Sequence, residues 1–341
     1  MGNIFRSIDQ LVGHTPLVEL VNYQHRHGYS THLLAKLEYF NPTGSIKDRA
    51  ALNMIRAAER EGMIRPGDTI VEQTSGNTGI ALAAFAIPHG YNLEIFLERG
   101  ASLERRLMLL AYGAKLRDYK DALGIKTAEE KSRVWQEPER EATLKEIEEY
   151  CRVQKGNYFF INQVVNSNNP DIHIQTTGPE IWQDTDGKVD ILVSMAGTGG
   201  TALGLSTYFR SKNPQIQIVL VQPHESSRNP QADIIDGVLP FHNVPEEDIT
   251  DFISKDLYDE CFDVKTEEAF AAARELVLTD GLFMGTSSAA ALYAAGKLSE
   301  RPENAGKNIV IIMPDNGMKY LTTPMFRSDQ SSAEELSAVK K

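Results

Sequence analysis

Short apolar runs recur along the chain, each followed by a stretch whose apolar residues return every three or four positions. The runs predict strands over Leu33–Leu37, Asp68–Gln73, Asn92–Leu97, Lys115–Tyr119, Tyr158–Ile161, Val189–Met195, Ile216–Val221 and Ile309–Met313. The longer period predicts helices over Ile46–Ala58 and Ile80–Ile87, and through Leu103, Leu107 and Leu110. Further helices are expected from Thr176 to Trp182, up to Phe209, and over Glu267–Leu278 and Ser287–Leu298. Strands alternating with helices at this spacing imply βαβ units, an α/β fold and mostly parallel sheets. Residues 120–157 break the rhythm. From Thr127 to Lys155 the chain is dense in Glu, Lys and Arg around Glu137-Pro138-Glu139, which reads as two charged helices in a solvated insertion, with a partner-binding arm as the other reading. The tail from Ser328 to Lys341 is expected to fray.

Composition narrows the partners. The 341 residues allow two domains or one large one, and 41% hydrophobic with 24% charged residues is ordinary for a globular protein. A net charge of −12 opposes binding to a nucleic-acid backbone or an anionic membrane, so any bound anion must be held locally. The two cysteines, Cys151 and Cys261, form neither a metal spacing nor a disulfide framework, and the eight histidines lack ligand spacing, so no metal is expected. No apolar run reaches membrane-spanning length and no signal-peptide pattern opens the chain, which together suggest a cytoplasmic protein.

Three stretches carry candidate chemistry. Asn41-Pro42-Thr43-Gly44-Ser45-Ile46-Lys47 reads as a turn, with Ser45 capping the helix that follows. Lys47 then sits in a first helical turn, where the dipole disfavours a cation, and is a candidate for a depressed pKa and imine chemistry. On these residues alone a solvated lysine is the plainer reading. Gly197-Thr198-Gly199-Gly200-Thr201 lies between a strand and a helix, where converging amides and a helix N-terminus suit a phosphate. It also satisfies a dinucleotide pattern through Gly197, Gly199 and Ala202. The next strand, however, ends in Gln222-Pro223-His224 without the acidic residue a ribose needs, so one phosphate ranks above a dinucleotide, and an empty tight turn stays open. Thr74-Ser75-Gly76-Asn77-Thr78-Gly79 is a second strand-to-helix loop. Its lack of a basic residue favours a carboxylate held by amides and hydroxyls, against the plainer reading of a helix cap. Two anion loops and a helix-start lysine together match what a phosphorylated aldehyde and an amino acid would require. His14 and His173 read as structural.

Taken together, these motifs resemble the cysteine synthase/cystathionine β-synthase family of pyridoxal-phosphate enzymes, the fold-type II or tryptophan synthase β-like group. The resemblance runs from about Ile8 to Arg327 and includes Gly13-His14-Thr15-Pro16-Leu17, Asn41–Arg49, Thr74–Gly79, Ser102-Leu103-Glu104-Arg105-Arg106, Asn162-Gln163, Thr176–Trp182, Gly197–Thr201 and Pro314–Tyr320. It implies two three-layer αβα domains with mostly parallel sheets and an active site in the cleft between them. The large domain would comprise 1–48 and 158–327, and the small one 49–157, followed by the tail 328–341. It implies pyridoxal 5′-phosphate as cofactor, with Lys47 as the imine-forming acid/base. Gly197, Thr198, Gly199, Gly200 and Thr201 would cradle the phosphate, and Asn77 would bond the 3′-oxygen. Thr74, Ser75, Gly76, Thr78 and Gln163 would grip the substrate carboxylate. The activity implied is β-replacement on an activated serine through an aminoacrylate, O-acetylserine plus sulfide giving cysteine, by a homodimer.

The chain departs from the family pattern in places. The stretch facing the pyridine nitrogen, usually Pro-Ser-Ser-Gly, is Pro314-Asp315-Asn316-Gly317, which leaves Asn316 at the usual position and Asp315 as a rival. Gly285-Thr286-Ser287-Ser288-Ala289-Ala290 replaces the usual Gly-x-Ser-Ser-Gly-Ala. Asp233 and Asp236 add carboxylates near the mouth of the site, either activating water or an amine, repelling an anionic nucleophile, or merely exposed. The alternative activity consumes cysteine and releases sulfide, giving serine, pyruvate, lanthionine or a diaminopropionate. A nicotinamide oxidoreductase and a catalytically silent binding protein rank below both.

Overall fold

A computed structural model describes residues 4–74, 76–97, 102–118, 142–227, 235–245 and 249–326. Ser75, Asp233, most of the charged insertion and the tail from 328 lie outside these. The strands, in chain order, are β1 Leu17–Glu19, β2 His32–Leu37, β3 Thr69–Thr74, β4 Asn92–Leu97, β5 Lys115–Arg117, β6 Tyr158–Phe160, β7 Ile191–Met195, β8 Gln217–Pro223, β9 Glu260–Val264 and β10 Asn308–Met313. They form two sheets, one in each of two compact units: Met1–His14 with Phe40–Thr177, and Thr15–Tyr39 with Gly178–Lys341.

In the first unit the order is β5-β4-β3-β6, every pair parallel. A parallel sheet needs crossover helices, which cover its faces and bury its strands on both sides. Leu93 and Ile95 of β4 join the core formed with the Lys47–Arg60 and Asn77–Ala86 helices. Glu94 and Phe96 alternate to the other face. There Phe96 packs with Ile147 and Tyr150 of the Leu144–Val153 helix, and Glu94 accepts from the Tyr150 hydroxyl at 2.6 Å and from Arg117 at 2.9 and 3.0 Å. Burial alone would raise the Glu94 carboxyl, but the Arg117 and Tyr150 hydrogen bonds hold it below the usual range. The Leu144–Val153 helix is therefore a core element, which corrects the expectation of a solvated insertion across its span. Thr143 starts it with a capping box to Glu146.

The Leu103–Tyr112 helix forms where its leucines predict it. Leu103, Leu107 and Leu110, whose spacing predicts it, are 59%, 55% and 55% exposed, whereas Arg105 and Leu109 are the buried pair. Periodicity fixed the helix but not the face it buries.

The second unit carries the order β1-β2-β10-β7-β8-β9, parallel except for β1. All five residues of β7 are buried, as expected of a central parallel strand, and Ile191, Leu192 and Val193 each contribute about 1.5–3 kcal/mol by burial. β9, Glu-Cys-Phe-Asp-Val, is absent from the predicted strands because its polar residues break the apolar run. Compared with the expected partition, residues 1–14, 40–48 and 158–177 fall in the first unit instead. β6 hydrogen-bonds to β3, and the Lys47–Arg60 helix runs unbroken across the expected boundary at 48. Among the described residues no helix is long and apolar enough to cross a membrane.

Lys36, fully buried in β2, donates to the Thr15 carbonyl at 2.6 Å and pairs with Glu180 at 3.0 Å, tying β2 to the Gly178–Asp184 helix. Lys36→Ala should therefore destabilise the protein by about 3–5 kcal/mol, because it leaves Glu180 without its cation. Lys36→Met with Glu180→Leu should recover part of that loss, both read from urea unfolding midpoints.

Candidate active site

Lys47 opens its helix at the end of a tightly fastened turn. Gly44 N–H closes the turn onto the Asn41 carbonyl at 2.8 Å, and the buried Asn41 amide oxygen takes Gly13 N–H at 2.8 Å. Asp48, fully buried, accepts from Thr43 N–H at 2.7 Å and from the Thr43 hydroxyl. Ser45 Oγ takes the Lys47 amide at 3.3 Å, although Ile46 and not Ser45 occupies the capping position. Arg49, also buried, reaches Thr176 Oγ1 at 3.1 Å within a π-helical turn, His173–Thr177. The half-buried Lys47 is thus flanked by buried, hydrogen-bonded neighbours. His173 is structural, held by Thr177 Oγ1 at 2.8 Å.

The anion loop follows β3, where strand order reverses: the chain passes from β3 to β4 on one side and reaches β6 on the other. Ligands of open α/β sheets bind at the carboxyl ends of strands at such a reversal. Gly76 N–H turns back onto Thr74 Oγ1 at 3.2 Å, and Asn77 begins the helix. Thr78 Oγ1 meets Gln163 Oε1 at 2.6 Å, joining two residues 85 positions apart. The loop lacks a basic residue of its own, but Arg105 lays its buried side chain directly over Gly76. Sequence reasoning missed this cation; the family-like Ser102-to-Arg106 stretch was its only signal.

The second unit has its own reversal, between β7 and β10. After β7, a Cβ on Gly197 would lie 2.6 Å from the Gly237 carbonyl oxygen, so only glycine fits. Gly199 has φ +88 and packs against Ile253 and Phe252, and Gly200 begins a long helix, Gly200–Lys212. Thr198 Oγ1 takes Gly200 N–H at 3.3 Å, and the amides of Thr201 and Ala202 come next in the first turn of the helix. This loop of small residues at a helix N-terminus fits a phosphate.

After β10, Asp315 is fully buried, accepts from the Tyr320 hydroxyl at 2.8 Å and sits against the Cα of Gly285. Asn316 Oδ1 accepts from Met318 N–H at 3.1 Å, and because a backbone N–H requires an oxygen there, the Asn316 Nδ2 is left as a donor. The Asp236 segment is joined to the start of the Thr286–Ser299 helix and to the residue before Gly197: its amide donates to Thr286 Oγ1 at 3.0 Å, and Leu239 N–H bonds the Ala196 carbonyl at 2.7 Å.

The match to a family model decides the identity. The model of pyridoxal-phosphate-dependent enzymes covers residues 8–315. The chain belongs to this family. It depends on pyridoxal phosphate, whose phosphate suits a small-residue helix start such as that at Gly197–Thr201. In sequence the chain is similar to cysteine synthase A of Escherichia coli K12, 38% identical over 342 residues, spanning 98% of this chain and 99% of that one. In structure it is similar to a cysteine synthase of Entamoeba histolytica, with TM-score 0.78 and 36% identity over 99% of this chain and 96% of the other. A hydrogen sulfide-producing enzyme of Fusobacterium nucleatum matches with TM-score 0.76 and 34% identity over 93% of this chain and 100% of that one.

Gly197→Ala should weaken pyridoxal phosphate binding by about 10-fold or more, since the overlap with the Gly237 carbonyl carries an overpacking cost of about 1–3 kcal/mol. Cofactor content per chain after dialysis checks this.

Proposed function

We propose that this chain catalyses β-replacement on an activated serine, taking O-acetylserine and sulfide to cysteine. The observation that carries the reading is the Thr78–Gln163 pair at the strand reversal, in the same unit as Lys47, with small-residue amides around it. Bound pyridoxal phosphate supplies an electron sink for negative charge at the substrate Cα. Lys47 would hold the cofactor through its aldehyde carbon, and its Nζ is the base that would take the substrate Cα proton and later return it. The loss of that proton expels acetate from Cβ with its electron pair, and sulfide adds there. Gly197, Thr198, Gly199, Gly200 and Thr201 would hold the phosphate, Asn77 the 3′-oxygen and the Asn316 amide the ring nitrogen. Thr74, Ser75, Gly76, Thr78 and Gln163 hold the substrate carboxylate, aided by the first-turn amides of the helix at Asn77. The family resemblance supports a cytoplasmic homodimer.

A second reading, release of sulfide from cysteine, draws on Asp236. Its segment hydrogen-bonds the residue before the phosphate loop, which supports a role for this carboxylate in activating water or an amine, or in repelling sulfide.

Lys47→Ala should keep the circular dichroism of the parent, lose at least about 100-fold in turnover, and yield no labelled Lys47 peptide after borohydride reduction. Purified enzyme should form cysteine from O-acetylserine and sulfide much faster than it releases sulfide from cysteine. The opposite ratio would replace the first reading with the second, and Asp236→Asn should then shift the products away from water or amine adducts.

A further inference from the structure

Glu72 lies in β3 and is 2% exposed, yet it belongs to no part of the chemistry described so far. Its two carboxylate oxygens accept from separate backbone amides, Oε1 from Gln73 at 2.8 Å and Oε2 from Gln163 at 3.0 Å. The second bond is informative. β6 pairs with β3 through Phe160, and Ile161 N–H still reaches the Val71 carbonyl at 3.0 Å. A continued parallel ladder would next send Gln163 N–H to the Gln73 carbonyl. Instead Asn162 turns left-handed, with φ +50, a conformation few non-glycine residues adopt. The amide that the ladder loses goes to Glu72, and the Gln73 carbonyl is reached by the Gln163 side chain, through Nε2 at 3.4 Å.

That exchange sets the polarity of the pocket. With Nε2 committed to a carbonyl, Gln163 presents Oε1 to Thr78, so the Thr78 hydroxyl is the donor in their 2.6 Å bond. The second Nε2 hydrogen remains for a ligand. Asn169 Nδ2 holds the Gln163 carbonyl at 2.8 Å, so the residue is fixed on both sides of its backbone.

We infer that Glu72 is a positioning residue for the substrate carboxylate, acting through the backbone of Gln163 to hold in place the Gln163 amide and the Thr78 helix start bonded to it. The inference rests on the reading that Thr78 and Gln163 grip that carboxylate. Its direction is opposite to simple electrostatics. A buried negative charge beside an anion site repels the anion, so removing it would by Coulomb's law alone improve binding. A glutamine at position 72 would also offer one NH2 group where a backbone N–H needs an acceptor, releasing one of the two amides.

The test is a double-mutant cycle with Glu72→Gln and Gln163→Ala. Glu72→Gln should raise KM for O-acetylserine about 10-fold, the scale of one lost buried hydrogen bond, with kcat changing far less and cofactor content unaltered. On the Gln163→Ala background the same change should add less than about 2-fold, because the side chain it positions is gone. Titration with L-serine, followed by cofactor absorbance, should show the same pattern without turnover. A lowered or unchanged KM in Glu72→Gln, or effects that multiply fully in the double variant, would overturn the assignment. If Glu72→Gln does not accumulate folded, Glu72→Asp keeps the charge, shortens the reach and is held to the same outcomes. Parent protein that binds pyridoxal phosphate but shows no absorbance response to O-acetylserine or L-serine would overturn the parent reading as well. A responding parent with an additive cycle would remove Glu72 alone.

Discussion

Parallel pairing imposes the constraint from which the candidate site follows. Strands that run the same way need crossover helices, so each strand ends in a loop that opens a helix, and all such loops lie on one edge of the sheet. Where the crossovers reverse direction, the loops part and leave room. In the first unit that happens between β3 and β6, which brings Thr78 and Gln163 together. In the second it happens between β7 and β10, which places the Gly197–Thr201 loop after the strand beside the one that leads to Asp315 and Asn316. The same rule, applied twice, accounts for both anion loops.

Segments around the candidate site residues are fastened by buried carboxylates. Asp48 fastens the turn before Lys47, Glu72 holds the Gln163 backbone and Asp315 is held by the Tyr320 hydroxyl and packs against Gly285. A buried carboxylate is costly unless it accepts hydrogen bonds, and here it finds them on backbone amides and hydroxyls of the irregular segments. Such segments bury too little apolar area to fix themselves. The carboxylates supply directional contacts that a loop of glycines and threonines lacks, and so make a fixed site from flexible residues.

Elements with a strong local signal were legible in the sequence. β4 has the expected bounds, and the turn before Lys47 follows from Asn-Pro-Thr-Gly itself. Orientation was less legible. Leu103, Leu107 and Leu110 predict their helix, yet the buried face carries Arg105, because α-periodicity records spacing while burial depends on which neighbour the sheet supplies. The Leu144–Val153 helix looked solvated because its charges outnumber Ile147 and Tyr150, the two residues that meet Phe96. Glu72 carries no local sign of its role, since its partner lies 91 positions away.

By itself, the sequence determined the α/β alternation, the lysine at a helix start, the two strand-to-helix anion loops and the likeness to a pyridoxal-phosphate family. These are encoded in residues close along the chain, through turn chemistry, capping and period. Only the tertiary structure decided that Thr78 and Gln163 meet, that Arg105 covers Gly76, that Asp315 is taken up by Tyr320 and that Glu72 holds a turn in β6's wake. Each of these depends on which strands lie side by side. Strand order is set by the burial of whole sheets, a property no local window of residues contains.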